Sequence, residues 1–384
     1  MKQYTVKNLL QLIKHYASVA VDLSLYTLAS GDKTVALETL KIERKVDEYV
    51  KELIAKISLA IRSPEQTHLA VSVAEVGRAL DKITDAAGDL AGLVLRGYPI
   101  HEYISSVVNC CDEIILLLHV NKPVKEFSPI VDLLIVKRGE SYLVAPELTS
   151  VEEGDILVAR GPHEEIADLA KEVGDTQALK TIGLGSLSAA LAGDDLALRI
   201  LRIKNLARQM LDLAFHSLIY GDPRIAGLIR EMEDSVDTLF HEILEYSYAA
   251  SNPGYAKEFV SIAIFASAME TIADAAVQMS EIVRREGYLP FIGKALEEAE
   301  EAYLKIRATN KVSGKRLLDL SLPDRGVMII ALEKKGSWII PVSPDYTIEE
   351  GDVLLVKYFK PEGEESEEKI EKILEDLGFE ILED

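Results

Sequence analysis

The stretch VDLSLYTLASGD, residues 21–32, returns as LDLAFHSLIYGD at residues 211–222. Both copies run an apolar helical pattern into Gly-Asp. A glycine that can end one helix is followed at once by an aspartate that can begin the next. The match extends in both directions. IERKVD (42–47) pairs with MEDSVD (232–237), ALDKITDAA (79–87) with AMETIADAA (268–276), and RGY (96–98) with EGY (286–288). Asn121-Lys122 returns as Asn310-Lys311. These pairs lie 189 or 190 residues apart, while VEEGDILVARG (151–161) and IEEGDVLLVKY (348–358) are offset by 197. The chain is therefore one unit written twice, with one loop longer by about seven residues.

Each unit opens with roughly a hundred residues of helical periodicity. Leu69, Val73, Val76, Leu80, Ile83, Ala87 and Leu90 step by fours and threes, the seam of a long helix packed in a bundle. Gly31-Asp32 and Gly221-Asp222 mark the first hairpin, and Ser63-Pro64 and Asn252-Pro253 the second, so three long antiparallel helices are predicted per half. The pattern then changes to short apolar runs separated by turn residues. IILLLHV, VDLLIVKRG, SYLVAP and DILVARG read as strands, and EEIADLAKEVG as a closing amphipathic helix. The second half repeats this with AYLKIRA, VMIIALEKKGSWIIP, DVLLVKY and a helix over EEKIEKILEDLG. It adds a short helix within SGKRLLDLSLPD (313–324), absent from a trimmed first copy. The expected class is α+β multidomain. Its parts are a helical bundle over 1–110, a small αβ domain over 111–175, a linker with the second bundle over 176–299, and a second αβ domain over 300–384.

The 384 residues carry 64 Asp+Glu against 42 Lys+Arg, a net charge of −22. Such a chain repels phosphate backbones and anionic bilayers and favours cations as ligands, which argues against nucleic-acid partners. Adjacent Cys110 and Cys111 cannot supply a disulfide framework and fit a reduced, buried setting. The N-terminus lacks the uninterrupted apolar core of a signal peptide, and the run IILLL is too short to span a bilayer. A cytoplasmic location without membrane insertion is expected. Only 12 Asn and Gln amid 28% charged residues suggest a thermophilic source.

The acid pairs repeat in register. Glu43 with Asp47 and Asp81 with Asp85 in the first half correspond to Glu233 with Asp237 and Glu270 with Asp274 in the second. Residues four apart share a helix face, so each pair aims two carboxylates the same way. One residue in six is acidic, so an i,i+4 acid pair arises by chance about ten times in such a chain. The register across the duplication carries the weight. Hard divalent or ferric cations prefer several carboxylate oxygens, and two helices could offer four, with Asp22 and Asp212 as further candidates. Salt bridges to Arg44, Lys45, Arg78 and Lys82 are the structural alternative. Gly77, Gly88 and Gly92 share the arc of Asp81 and Asp85, where small residues let a helix or an ion come close; the second copy has Ala266, Val277 and Glu281 there. His119 and His216, within apolar runs, read as core residues. No zinc spacing, nucleophile elbow or phosphate loop is present, and Gly183-x-Gly185 lacks the dinucleotide-binding context.

These residues resemble two families. The helical parts resemble PhoU-like domains, three-helix bundles with a Glu/Asp-x-x-x-Asp signature, met here at the four pairs above. The αβ parts resemble the TrkA C-terminal domain (RCK C-domain) through the strand, proline loop and Gly154-Asp155 or Gly351-Asp352. Together they suggest an archaeal-type potassium-transport regulator. The resemblance implies a homodimeric regulatory subunit of a membrane cation channel or transporter, for potassium first and magnesium second. It also implies metal clusters on the acid pairs and a small ligand such as a cyclic dinucleotide at the αβ domains. The nucleotide-binding domain that usually precedes a TrkA C-domain is missing from the sequence, as is a pore. A phosphate-uptake regulator is the alternative, and a carboxylate-bridged metalloenzyme a further one.

Overall fold

The computed structural model describes residues 4–382, apart from 109–112, 129–130, 145–147, 149, 183–193, 251–255, 298–300, 340–341, 344 and 360–363. The dicysteine, the Asn252-Pro253 turn and the Gly183-x-Gly185 segment lie outside the described residues.

In chain order the first half holds α1 (Val6–Ser30), α2 (Lys33–Ala60), α3 (Glu65–Leu95), α4 (Glu102–Val108), β1 (Glu113–His119), β2 (Asp132–Arg138), β3 (Ser141–Val144), β4 (Ile156–Pro162), α5 (His163–Glu172) and α6 (Thr176–Ile182). The second half holds α7 (Asp195–Tyr220), α8 (Pro223–Ala250), α9 (Ala256–Glu286), α10 (Pro290–Glu297), β5 (Glu301–Ala308), β6 (Val327–Lys334), β7 (Ser337–Ile339), β8 (Val353–Phe359), α11 (Glu364–Leu377) and β9 (Phe379–Leu382). Like modules assemble with like. Met1–Cys110 and Gly185–Glu298 form one compact unit, whose described elements are all helices, and Cys111–Leu184 with Ala299–Asp384 form the other.

The Gly-Asp turns of the helical unit work as the sequence predicts. Gly31 and Gly221 adopt φ of +71° and +68° and end α1 and α7 in the left-handed conformation. Asp32 then accepts the Thr34 and Val35 N–H groups, and Asp222 the Arg224 N–H. The surroundings of the two glycines differ. A Cβ on Gly31 would meet nothing within 4 Å, whereas one on Gly221 would lie 2.5 Å from Tyr288 Cβ and 2.9 Å from its Cα. Gly31→Ala is therefore expected to cost only the backbone term, about 1 kcal/mol. Gly221→Ala should lose clearly more, because backbone must move; thermal denaturation of the two variants side by side checks the order.

The bundles contain more than three helices each. Short α4 packs against α1 and α7, and short α10 against α7 and α1, so each fourth helix touches the first helix of both copies. Two matched lysines pin this exchange. Lys14, on α1, donates to the Leu296 carbonyl at 3.2 Å, and Lys204, on α7, to the Val107 carbonyl at 2.5 Å. Both lysines are almost fully buried, at 2% and 0% exposure. The third helices α3 and α9 pack together. Residues Lys257–Glu286 are long and apolar enough to cross a membrane by length and composition, but over half of that stretch is buried within the bundle.

The sheets of the second unit run β1-β4-β2-β3 and β7-β6-β8-β5-β9, the same antiparallel order in both copies with β9 added in the second. Even a β-bulge is copied, between Leu133 and Ile135 and between Ile329 and Ala331. Where β9 pairs with β5, the first copy instead turns into α6. Asp175 caps α6 through the Gln177 and Ala178 N–H groups and accepts the His119 N–H at 2.8 Å. Helix α6 thus packs with α5 and β1, in the αβ unit rather than in the linker expected from residue 176 onward. His119 is also not a core residue: its side chain is 59% exposed beside Asp175, because it ends the edge strand, whereas His216 is fully buried. The helix expected in 313–324 is two 3-10 turns, Leu317–Leu320 and Pro323–Arg325, the latter against β4 and α5.

In both copies the Gly-Asp before the last long strand is a buried anchor. Gly154 and Gly351 have φ of +93° and +89°. Asp155 accepts Arg138 Nε and Nη2 at 2.9 and 2.7 Å and the Glu152 N–H at 2.9 Å. Asp352 accepts the Tyr346 hydroxyl at 2.9 Å and the Glu349 N–H at 2.8 Å.

Candidate functional site: two carboxylate clusters

The register of α2 against α3 is set by missing side chains. A Cβ on Gly77 would fall 2.8 Å from Leu53 Cδ2, and one on Gly88 would fall 2.5 Å from Glu43 Oε2. Gly77 thus receives a leucine and Gly88 the Glu43 carboxylate, while Gly92 receives the guanidinium of Arg96. The glycine arc admits side chains of its own bundle.

This register brings all four predicted acids of the first half together. Burial raises the affinity of Glu43 for its proton, and Asp85, Asp89 and Asp47 add to it, with Arg44 opposing. Burial, then Asp85 and Asp47, push Asp81 up to about 6 against relief from Lys51. Asp85 is raised by burial, Asp89 and Asp47. Crowded like charges at a core edge produce this pattern. Asp81 Oδ1 is buried and has no hydrogen-bond partner. Asp89 is a member the acid-pair reading missed, although Asp81, Asp85 and Asp89 form a visible i, i+4, i+8 ladder.

The second half does the same with α8 and α9. Glu233 is raised by burial and then by Asp237 and Asp274. Glu270 is raised by burial, Asp274 and Asp237, with His241 opposing. Asp274 is raised by burial and Asp237 and relieved by Lys82, which reaches it from α3 of the other copy.

Of the basic residues near the acid pairs in sequence, Arg44 opposes the shift of Glu43 and Lys82 that of Asp274. Lys51 holds Asp47 at 2.5 Å, and its matched position in the second copy is His241. Lys45 instead donates to the Tyr16 hydroxyl and sits over its ring. Asp22 accepts Arg208 Nη2 at 3.4 Å and is 2% exposed, an ion pair inside the helical unit. Among the described residues, no three acidic, histidine or cysteine side chains stand close enough to hold a metal ion as they are. The donor chemistry nonetheless suits a hard cation: carboxylate oxygens only, charge-crowded, with one buried oxygen unpaired.

A family model described as the PhoU domain matches residues 10–94 and 200–283, and one described as the TrkA-C domain matches residues 302–358. This is a tandem PhoU protein with a TrkA-C domain. Both acid clusters fall inside its PhoU segments. The TrkA-C segment covers β5 to β8, and the first αβ module repeats that strand order. The crystal structure of PhoU from Pseudomonas aeruginosa is similar at 13% identity and a TM-score of 0.41, over 72% of this chain and 93% of that one. No curated protein matches the chain. PhoU and TrkA-C domains are regulatory modules that act with phosphate and ion transport systems, and this tandem PhoU protein is regulatory in that sense.

Proposed function

We propose that this protein is a cytoplasmic, non-catalytic, homodimeric regulatory subunit of a membrane cation transport system, potassium first and magnesium second. The observation that carries this reading is the pairing, in one chain, of PhoU bundles bearing crowded carboxylates with a TrkA-C domain. Glu43, Asp47, Asp81 and Asp85, and in the second bundle Glu233, Asp237, Glu270 and Asp274, would hold a divalent or ferric cation. Bound charge would relieve the repulsion that Asp81 suffers and so favour one packing of α2 on α3. The TrkA-C unit would take a small ligand such as a cyclic dinucleotide.

Affinity purification of the full chain from native membranes, in potassium and in magnesium buffers, tests the partner. A cation channel or transporter is expected. A phosphate transporter or its sensor kinase would favour the phosphate reading, and no transport protein under any ionic condition would sink both. Elemental analysis of chelator-free protein tests the metal, beside a variant with Glu43, Asp47, Glu233 and Asp237 all changed to Ala. Stoichiometric metal is expected in the parent and not in the variant. A parent that stays empty after incubation with Mg, Mn, Fe or Zn would make the clusters structural.

A further inference from the structure

The first turn of α4 is closed by a histidine. The His101 carbonyl accepts the Ile104 N–H at 3.0 Å, and its ring Nδ1 accepts the Tyr103 N–H at 3.2 Å, so His101 caps the helix with its side chain. An imidazole accepts at Nδ1 only while it is neutral with its proton on Nε2; the imidazolium has donors alone. The ring lies 4.4 Å from that of Tyr103 and 5.8 Å from that of Phe259 on α9. Burial in this aromatic corner holds His101 below the ordinary histidine range, against Glu258 of α9, Glu102 of α4 and Asp194 before α7.

The same few residues bind three helices together. The Tyr103 hydroxyl donates to Asp194 Oδ2 at 2.7 Å, and Asp194 Oδ1 accepts the Leu196 and Ala197 N–H groups that begin α7. The His101 N–H donates at 3.1 Å to Oγ of Ser261, a fully buried residue of α9. Both chain passages between the first αβ module and the bundles start or end here. Residues 109–112 lead from α4 to β1, and residues 183–193 lead from α6 back to Asp194. In the second copy Leu289 stands at the cap, its carbonyl accepting the Ile292 and Gly293 N–H groups, so α10 starts on a side chain that cannot titrate.

We infer that His101 is a protonation-operated latch on α4. Neutral, it caps the helix and keeps Tyr103 against Asp194. Protonated, it releases the Tyr103 N–H and its charge turns toward Glu258 and Asp194, which loosens the first turn of α4 and with it the passage into β1. The sign follows from linkage: the latch's contribution is complete above the unfolded histidine value, about 6.5, and is lost as pH falls through the lower folded one. Asp194, held low first by the Tyr103 hydroxyl, keeps its charge through this window. The latch does not depend on which transport system the protein serves.

The test is amide hydrogen exchange of the full chain at pH 7 and pH 5, read as protection factors over residues 102–108 so that the intrinsic pH dependence of exchange cancels. A local readout is needed because the crowded carboxylates move global stability the other way. Protection in α4 is expected to fall about three- to tenfold in the parent, the worth of one cap. His101→Asn, whose side-chain acceptor does not titrate, should keep its protection at both pH values. His101→Leu, with the second copy's residue, should be low at both. A parent whose α4 protection is the same at both pH values overturns the inference. So does an equal fall in His101→Asn, or a His101→Leu variant as protected at pH 7 as the parent.

Discussion

Asp155→Ala is expected to destabilise the αβ unit by about 1–3 kcal/mol, the usual cost of leaving a buried hydrogen-bonding group unsatisfied. The carboxylate is 2% exposed and satisfies Arg138 twice and the Glu152 N–H once. Removing it strands the Glu152 N–H, while Arg138, 37% exposed, keeps Glu152 Oε1 at 2.9 Å. Its matched residue, Asp352, serves a tyrosine hydroxyl and one N–H, so Asp352→Ala should cost less. The pH dependence has a definite sign. The Arg138 hydrogen bonds hold Asp155 below the ordinary carboxylate range despite burial. Its contribution is therefore complete above the unfolded value and is lost as pH falls through the folded one. Urea titrations at pH 7 and pH 3 should show this loss in the parent and not in Asp155→Ala.

The acid clusters should respond in the opposite direction. Asp81 is raised to about 6, chiefly by burial and then by Asp85 and Asp47. A carboxylate raised in this way favours folding fully below its unfolded value, and that advantage disappears as pH rises through about 6. Acidification from pH 7 to pH 5 should thus stabilise the helical unit. Asp81→Asn should supply the same relief at pH 7, about 1–2 kcal/mol once solvent screening of a partly exposed group is allowed for. That corresponds to a rise of roughly 2–8 °C in melting temperature for a unit of this size. The triple variant Glu43→Gln, Asp81→Asn, Asp85→Asn should rise further and lose its pH dependence in this window. A calorimetric scan of the triple variant that melts lower than the parent at pH 7 would mean that the carboxylates make stabilising contacts, and the repulsion argument would fall. Mg²⁺ or Mn²⁺ should raise the parent's melting temperature and leave that of the triple variant unchanged.

Much of this architecture was legible in residue order. The Gly-Asp turns, the helical seam and the alternating strands are local signals, written within ten or twelve residues, and the duplication wrote each of them twice. The four acid pairs were legible for the same reason. Asp89 does not show in the duplicated i,i+4 pairs because it extends a ladder, and Lys51 stands one turn from Asp47 rather than beside the acids in sequence. An apolar run does not reveal that its strand is an edge, so His119 reads as core from its neighbours and is nonetheless exposed. Strand β9 and helix α6 occupy the same place after the closing helix, and nothing in FEIL or TQALKTI alone announces which will form.

The sequence by itself determined the repeat, the two kinds of module and the residues that carry charge, because helix periodicity, strand alternation and turn chemistry act over short range. Only the tertiary structure decided that the two bundles join into one unit, that α4 and α10 are pinned by lysines of the opposite copy, and that Lys82 answers Asp274. It also decided that His101 reaches Ser261 while Ser72 keeps an unpartnered hydroxyl. Those outcomes depend on which buried donors meet which carbonyls across some hundred residues or more. That meeting is chosen by packing and desolvation, which no local pattern encodes.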